Sequence, residues 1–214
     1  MIIHRNSFAR ISVFYAGFGR NLNFNPWLHH YPIVKFIVYD IEATCWDGRP
    51  PGMVQETIEI GACALDNYGR VTGQFSRLIK PVIHPQMSLF CKKLTRIDQS
   101  ELNRARNFKR VIEEFKDWAG VDDQEDYLLA GWGDFDQLQL MEDCRMHRLE
   151  DYWLEEYIDL RVQYQEIRKL PKKRGLKAAV KHEGYTWEGE QHRALVDAQN
   201  TVKVFQEMID EWRY

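Results

Sequence analysis

Two carboxylates one residue apart, Asp40 and Glu42, lie in an apolar run from Lys35 to Trp46, KFIVYDIEATCW. In a strand the side-chain period is two, so both point to one face, roughly 7 Å apart along the chain. That spacing suits a pair that shares metal ions. A D-x-E triplet is weak by itself in a chain with 32 acidic residues, and Asp123-Gln124-Glu125 repeats it in a polar stretch. Only the first copy belongs to a strand. Two further acids stand at element boundaries: Asp136, shortly after the run Tyr127 to Trp132, and Asp197, at the start of a long amphipathic stretch. Asp134 competes with Asp136 for the same role. If four carboxylates converge, cations must neutralise them, and oxygen-only ligands select hard ions, Mg²⁺ or Mn²⁺. His192 precedes Asp197 by five residues. At about 100° per residue the two fall on different sides of a helix, so His192 is expected where the chain approaches the helix, beside the ligands. An imidazole with an ordinary pKa of about 6.5 suits removing a proton from water there.

These residues need a scaffold. Phe36 to Ile41 is β-branched or aromatic up to the first acid and reads as a central strand covered on both faces. Thr57 to Leu65 and Gln74 to Ile79 read as antiparallel partners joined by a tight turn at Asp66 to Gly69, flanking the central strand. Tyr127 to Trp132 is a fourth strand and Tyr157 to Leu160 a fifth. Between them, Leu94 to Asp98 leads into a short helix capped by Thr95 or Asp98. Phe108, Val111, Ile112, Phe115 and Trp118 recur at helical spacing, Leu138 to Met146 is helical, and Arg161 to Leu170 is a helix stopped by Pro171. Another helix begins at Gly175 to Val180. The last carries Ala194, Leu195, Ala198, Val202, Phe205, Met208, Ile209 and Trp212 on one face. The expected class is α/β, a mixed five-stranded sheet flanked by helices.

At 214 residues the chain suits one such domain, expected over residues 33–214. Residues 1–32 read as a poorly ordered extension. The first 39 residues hold no Asp or Glu, but their apolar part, Ile11 to Phe18, is broken by Gly17 and followed by Asn21, Asn23, Asn25 and Pro26, which argues against a targeting signal. No apolar run approaches the length needed to cross a bilayer. The formal charge of -3 supplies no global basic field, so a nucleic-acid partner must be held by local cations and metal ions. Cys45, Cys63, Cys91 and Cys144 form no C-x-x-C pair and read as free thiols in a reducing cytoplasm.

Taken in order, Asp40-x-Glu42, Phe135-Asp136 and His192-x-Ala194-x-x-Asp197 resemble the three motifs of the DEDDh 3′-to-5′ exonucleases of the ribonuclease H-like superfamily. Ile58-Glu59-Ile60-Gly61-Ala62 resembles that family's second strand and Leu94-Thr95-Arg96-Ile97 its L-T-x-I turn. Glu42 to Trp46 and Gly131 to Asp136 look most like the KapD and Eri-type branch, whose members act largely on RNA 3′ ends. The resemblance implies two-metal hydrolysis, with Asp40, Glu42, Asp136 and Asp197 holding two ions about 4 Å apart and His192 as general base. It also implies nucleoside 5′-monophosphates as products and single-stranded RNA as the preferred partner. Arg193, Thr44, Trp46, Phe135 and Leu94 are the candidate substrate contacts, and the basic run Lys172-Lys173-Arg174 with Lys177 and Lys181 is a further candidate for gripping phosphates. Two rival readings are a DNA exonuclease of proofreading type and a non-catalytic regulator that binds nucleic acid or protein. The intact set of five motif residues argues against the latter.

Overall fold

The computed structural model describes residues 35–48, 50–121 and 126–214. The proposed extension, the expected domain start at residue 33 and the second D-x-E triplet lie outside the described residues. Strand β1, Lys35–Ala43, is the axis of the sheet. Its alternation divides the protein: Ile37, Tyr39 and Ile41 enter one core, Phe36 and Val38 the other. Asp40 and Glu42 continue the second set by the period of two, so the acids extend an apolar face.

Strands β2, Thr57–Leu65, and β3, Val71–Lys80, pair antiparallel in sequence. Their hairpin closes where the Asp66 carboxylate accepts the Tyr68 and Arg70 N–H groups, each at 2.9 Å. Two-residue β4, Arg106–Asn107, pairs parallel with the end of β3, while β5, Tyr127–Gly131, runs parallel to β1 and β6, Tyr157–Asp159, parallel to β5. The sheet order is β4-β3-β2-β1-β5-β6.

Three differences from the sequence reading have physical reasons. The sheet has six strands, not five, because β4 is two exposed polar residues with no alternation to read. β3 lies outside β2 and does not touch β1, whose other neighbour is β5. Leu94 and Thr95 end a separate helix α1, Leu89–Thr95, and only Asp98 caps the next, α2, Gln99–Arg104, accepting the Ser100 and Glu101 N–H groups. Thr95 is the buried last residue of α1, where its hydroxyl donates to the Cys91 carbonyl at 3.0 Å and accepts the Ile97 N–H at 3.3 Å, so it closes α1 and does not cap α2.

Helix α3, Phe108–Ala119, begins at the Asn107 cap and ends at Gly120 in the left-handed conformation. With α4, Phe135–Met146, and a 3-10 turn at Tyr152–Leu154, it covers the Ile37 face. Helices α5, Leu160–Ile167, α6, Leu176–His182, and α7, Ala194–Glu207, cover the Phe36 face. α7 stops at Glu207, short of the expected Trp212, yet Met208 and Trp212 remain buried. Its first turn packs so closely on β2 that a Cβ at Gly61 would collide with the Ala194 and Leu195 backbone. A missing side chain therefore sets the distance between helix and sheet.

Candidate active site

Three elements deliver the acids. β1 supplies Asp40 and Glu42. β5 runs parallel to β1, so its end emerges beside theirs, and the turn at residues 132–134 leads into α4, whose first turn carries Asp136. Asp197 sits in the first turn of α7, which packs against β1 and β2. Carboxylate oxygens of Glu42 and Asp197 and a ring nitrogen of His192 lie within 4.8 Å of one another. Asp136 is buried at 7% exposure, whereas Asp134 is exposed at the N-cap position and makes no capping bond. The geometry thus puts Asp136, not Asp134, in the cluster.

Burial and mutual repulsion hold these acids toward their neutral forms. Asp40 is pushed well above the usual carboxylate range by burial, then by Asp136, Asp197 and Glu42. Glu42 is raised to about 9 by burial and by Asp197 and Glu59. Asp136 is raised to about 7 by burial, against the opposing effect of the Ile41 N–H, and Asp197 to about 6 by burial, against the His192 N–H. The largest influences on Asp40 and Glu42 all raise them, and among the described residues no side-chain or backbone donor is hydrogen-bonded to either carboxylate. One oxygen of Asp197, Oδ1, is buried with no hydrogen-bond partner. Hard carboxylate donors, an orphaned buried oxygen and uncompensated negative charge are what divalent ions require, so the residues fit them.

His192 adopts a left-handed conformation, φ 63°, two residues before α7, as its sequence spacing predicts. That bend turns its backbone N–H onto Asp197 Oδ2 at 3.1 Å. Partial burial, and then Arg96, lower the imidazole pKa below its ordinary value, so at neutral pH the ring is a free base.

Glu59, which sequence reasoning placed in β2 without a role, organises this corner. It is 2% exposed and stands directly opposite Glu42 in the β1–β2 register. Its carboxylate accepts Arg193 Nε at 3.1 Å, Arg193 Nη2 at 2.8 Å and the Ala194 N–H at 3.1 Å. It therefore caps α7 and pins the residue after His192. The available signal was one acid in an otherwise apolar strand.

The candidate substrate contacts scatter around this centre. Phe135 is 47% exposed at the start of α4. Leu94 is half-buried in α1. Trp46 packs edge-on against His84, ring centroids 5.0 Å apart. Thr44 is buried and its hydroxyl accepts the Glu56 N–H at 2.9 Å, while the Arg193 guanidinium turns to Glu59. The loop after β1 is fastened to α1 by the Ser88 hydroxyl, which donates to the Cys45 carbonyl at 2.6 Å. All four cysteines are free thiols.

A family model described as Exonuclease, of RNase T type, matches residues 37–205. The chain is similar to the human 3′-5′ exoribonuclease 1, 28% identical over 81% of this chain and 52% of that protein. It is similar to the probable 3′-5′ exonuclease KapD of Bacillus subtilis, 25% identical over 84% and 87%. Among solved structures it resembles the nuclease domain of 3′hExo, a DEDDh family member bound to rAMP, with TM-score 0.77 and 27% identity over 86% of this chain and 94% of that one. The chain spans about half the length of the human relative.

Proposed function

We propose, from the premise that this chain belongs to the RNase T exonuclease family, that it removes nucleotides one at a time from nucleic-acid 3′ ends, preferring single-stranded RNA. The approach of Glu42, Asp197 and His192 to within 4.8 Å, with Asp40 and Asp136 near enough to repel the same acids, supports this reading. Those four carboxylates would hold two divalent ions, Mg²⁺ or Mn²⁺, which when bound supply Lewis acidity at the scissile phosphodiester. His192 takes the proton of the attacking water, and Asp197, bonded to the His192 N–H, fixes where that base stands. Water attacks phosphorus, the bond to the 3′ oxygen of the preceding nucleotide breaks, and a nucleoside 5′-monophosphate leaves. Exposed Phe135 and the Trp46 ring are the platforms offered to the terminal bases. The RNA preference is supported by the exoribonuclease name of the human relative and by the Gly131-to-Asp136 motif. The catalytic unit is residues 33–214, acting in the cytoplasm; no helix among the described residues is long and apolar enough to cross a membrane.

The test is a time course on matched 5′-labelled single-stranded RNA and DNA, with Mg²⁺ or Mn²⁺, beside D40A and an EDTA control. A metal-dependent ladder shortening from the 3′ end, faster on RNA and absent in D40A, is the expected result. A faster ladder on DNA moves the substrate to the proofreading type. No cleavage of either by folded, metal-bound protein overturns hydrolysis in favour of a binding regulator.

A further inference from the structure

Residues 167–182 carry seven cations, Arg168, Lys169, Lys172, Lys173, Arg174, Lys177 and Lys181, and no Asp or Glu, in a chain whose net charge is -3. Arg168 is committed to the fold, pairing with Glu183 at 3.0 Å and Glu211 at 2.8 Å. The five lysines are exposed, and none forms an ion pair among the described residues. Nearby acids are engaged elsewhere: Glu188 meets Lys203 at 3.1 Å and Glu190 meets Arg96 at 3.1 Å.

The segment is tied to both loops that carry catalytic residues. The Arg174 carbonyl accepts Trp132 Nε1 at 3.0 Å and Arg161 Nε at 3.1 Å, and Trp132 belongs to the turn leading to Asp136. On the other side, Lys177 Nζ donates to Gln191 Oε1 at 2.9 Å, one residue before His192. A solvated helix face commonly interleaves both signs; here an acid-free stretch is held by its backbone against the catalytic turn with its ammonium groups outward. We infer that Lys169, Lys172, Lys173, Lys177 and Lys181, with Arg174, form a phosphate track that holds the polynucleotide on the 5′ side of the nucleotide being removed. Ammonium groups bind phosphates as point charges and read no sequence. The track therefore favours long strands over short ones and leaves the base sequence unread.

This inference builds on the exonuclease reading, so its test does not depend on turnover. Fluorescence anisotropy of a 5′-labelled 20-nucleotide RNA and of a 3-nucleotide RNA is measured in EDTA across a KCl series. The proteins compared are wild type, K172A/K173A, and K80A/K109A, which removes the same charge at the end of β3 and on α3. For single strands the slope of log affinity against log salt is about 0.7 per phosphate neutralised. K172A/K173A is expected to weaken 20-mer binding at least about fivefold and to flatten the slope by about 1.4. The 3-mer should change less than twofold, and K80A/K109A should leave both ligands as in wild type. Equal weakening by the two variants would reduce the effect to net charge and overturn the track. So would an unchanged 20-mer, or equal loss for both lengths. Failure of the exonuclease reading would show instead as absent cleavage by wild type that still binds.

Discussion

Glu42 and Glu59 face each other across the β1–β2 ladder, 8% and 2% exposed, and were treated in opposite ways by the fold. Glu59 accepts three N–H donors, two from Arg193 and one from Ala194. Glu42 meets burial and other acids only. The same division separates Glu56, 2% exposed, which accepts the Ile83 N–H at 2.9 Å and the His84 N–H at 2.8 Å, from Asp40, which burial and neighbouring acids push toward its neutral form. Buried acids that the chain satisfies hold elements together. Those left with burial and like charge alone are the ones whose chemistry fits a cation.

The largest break in that comparison is D40N or E42Q. Either is expected to lower kcat at least about 10³-fold, roughly 4 kcal/mol of transition-state stabilisation, while raising the melting temperature of the EDTA-treated protein by relieving repulsion. Calorimetry beside the cleavage assay checks both; a variant that loses activity and stability together would place that acid with the structural set. Next is E59Q, which leaves Arg193 and the start of α7 short of a charge partner. The Arg193 side chain is 36% exposed, so losing these charge-assisted bonds costs about 1.5–3 kcal/mol, and E59Q should lower the melting temperature and the activity together, where E42Q raises the first.

The third prediction concerns pH. Asp197, Asp136 and Glu42 are raised in the folded state to about 6, 7 and 9 from ordinary values near 4. Each binds its proton more tightly folded than unfolded, so the stability this contributes is full below about pH 4 and is lost as pH rises through those values. The metal-free protein should melt higher at pH 5 than at pH 8, and saturating Mg²⁺ should raise the pH 8 value most. A flat profile in EDTA would contradict the uncompensated cluster. Under the proposed mechanism activity runs the other way: His192 would act in its neutral form, so kcat/KM should rise with pH along a limb centred below 6.5, the ordinary histidine value. The H192Q profile should lack that limb.

The smallest effect belongs to the satisfied set. Glu183 accepts Arg168 Nη2 at 3.0 Å and the Tyr164 hydroxyl at 2.6 Å, and chiefly through Arg168 is lowered to about 2. Its stabilisation is present above the ordinary value near 4.5 and lost as pH falls toward 2. E183Q should destabilise by about 2 kcal/mol at pH 7 and leave kcat unchanged, as urea unfolding and the ladder assay would show.

The elements that carry the motifs were legible because each has a period. β1 and β2 are unbroken apolar runs, and the Phe108 to Trp118 stripe is α3. The placement of His192 ahead of α7 followed from the angle between positions five apart. What was not legible depends on contacts distant in sequence. β4 exists because Ile79 and Lys80 pair with Arg106 and Asn107. The role of Glu59 comes from Arg193, 134 residues away. The pairing of Arg193 with Glu59 was invisible because an arginine's partner 134 residues away leaves no trace in one dimension. The choice between Asp134 and Asp136 needed the turn of α4 that buries the second and leaves the first in solvent.

The bend at His192 links two events that are usually described apart. Asp197 gives one oxygen to the His192 backbone and keeps the other, Oδ1, buried without a hydrogen-bond partner. Both oxygens belong to one rigid carboxylate, so a ligand on the free oxygen and the peptide that carries the imidazole share a single anchor. By reciprocity, whatever steadies the imidazole raises the affinity of the free oxygen for its ligand. One short side chain thus acts as a joint, holding the bend that presents the imidazole with one oxygen and offering the other to a ligand.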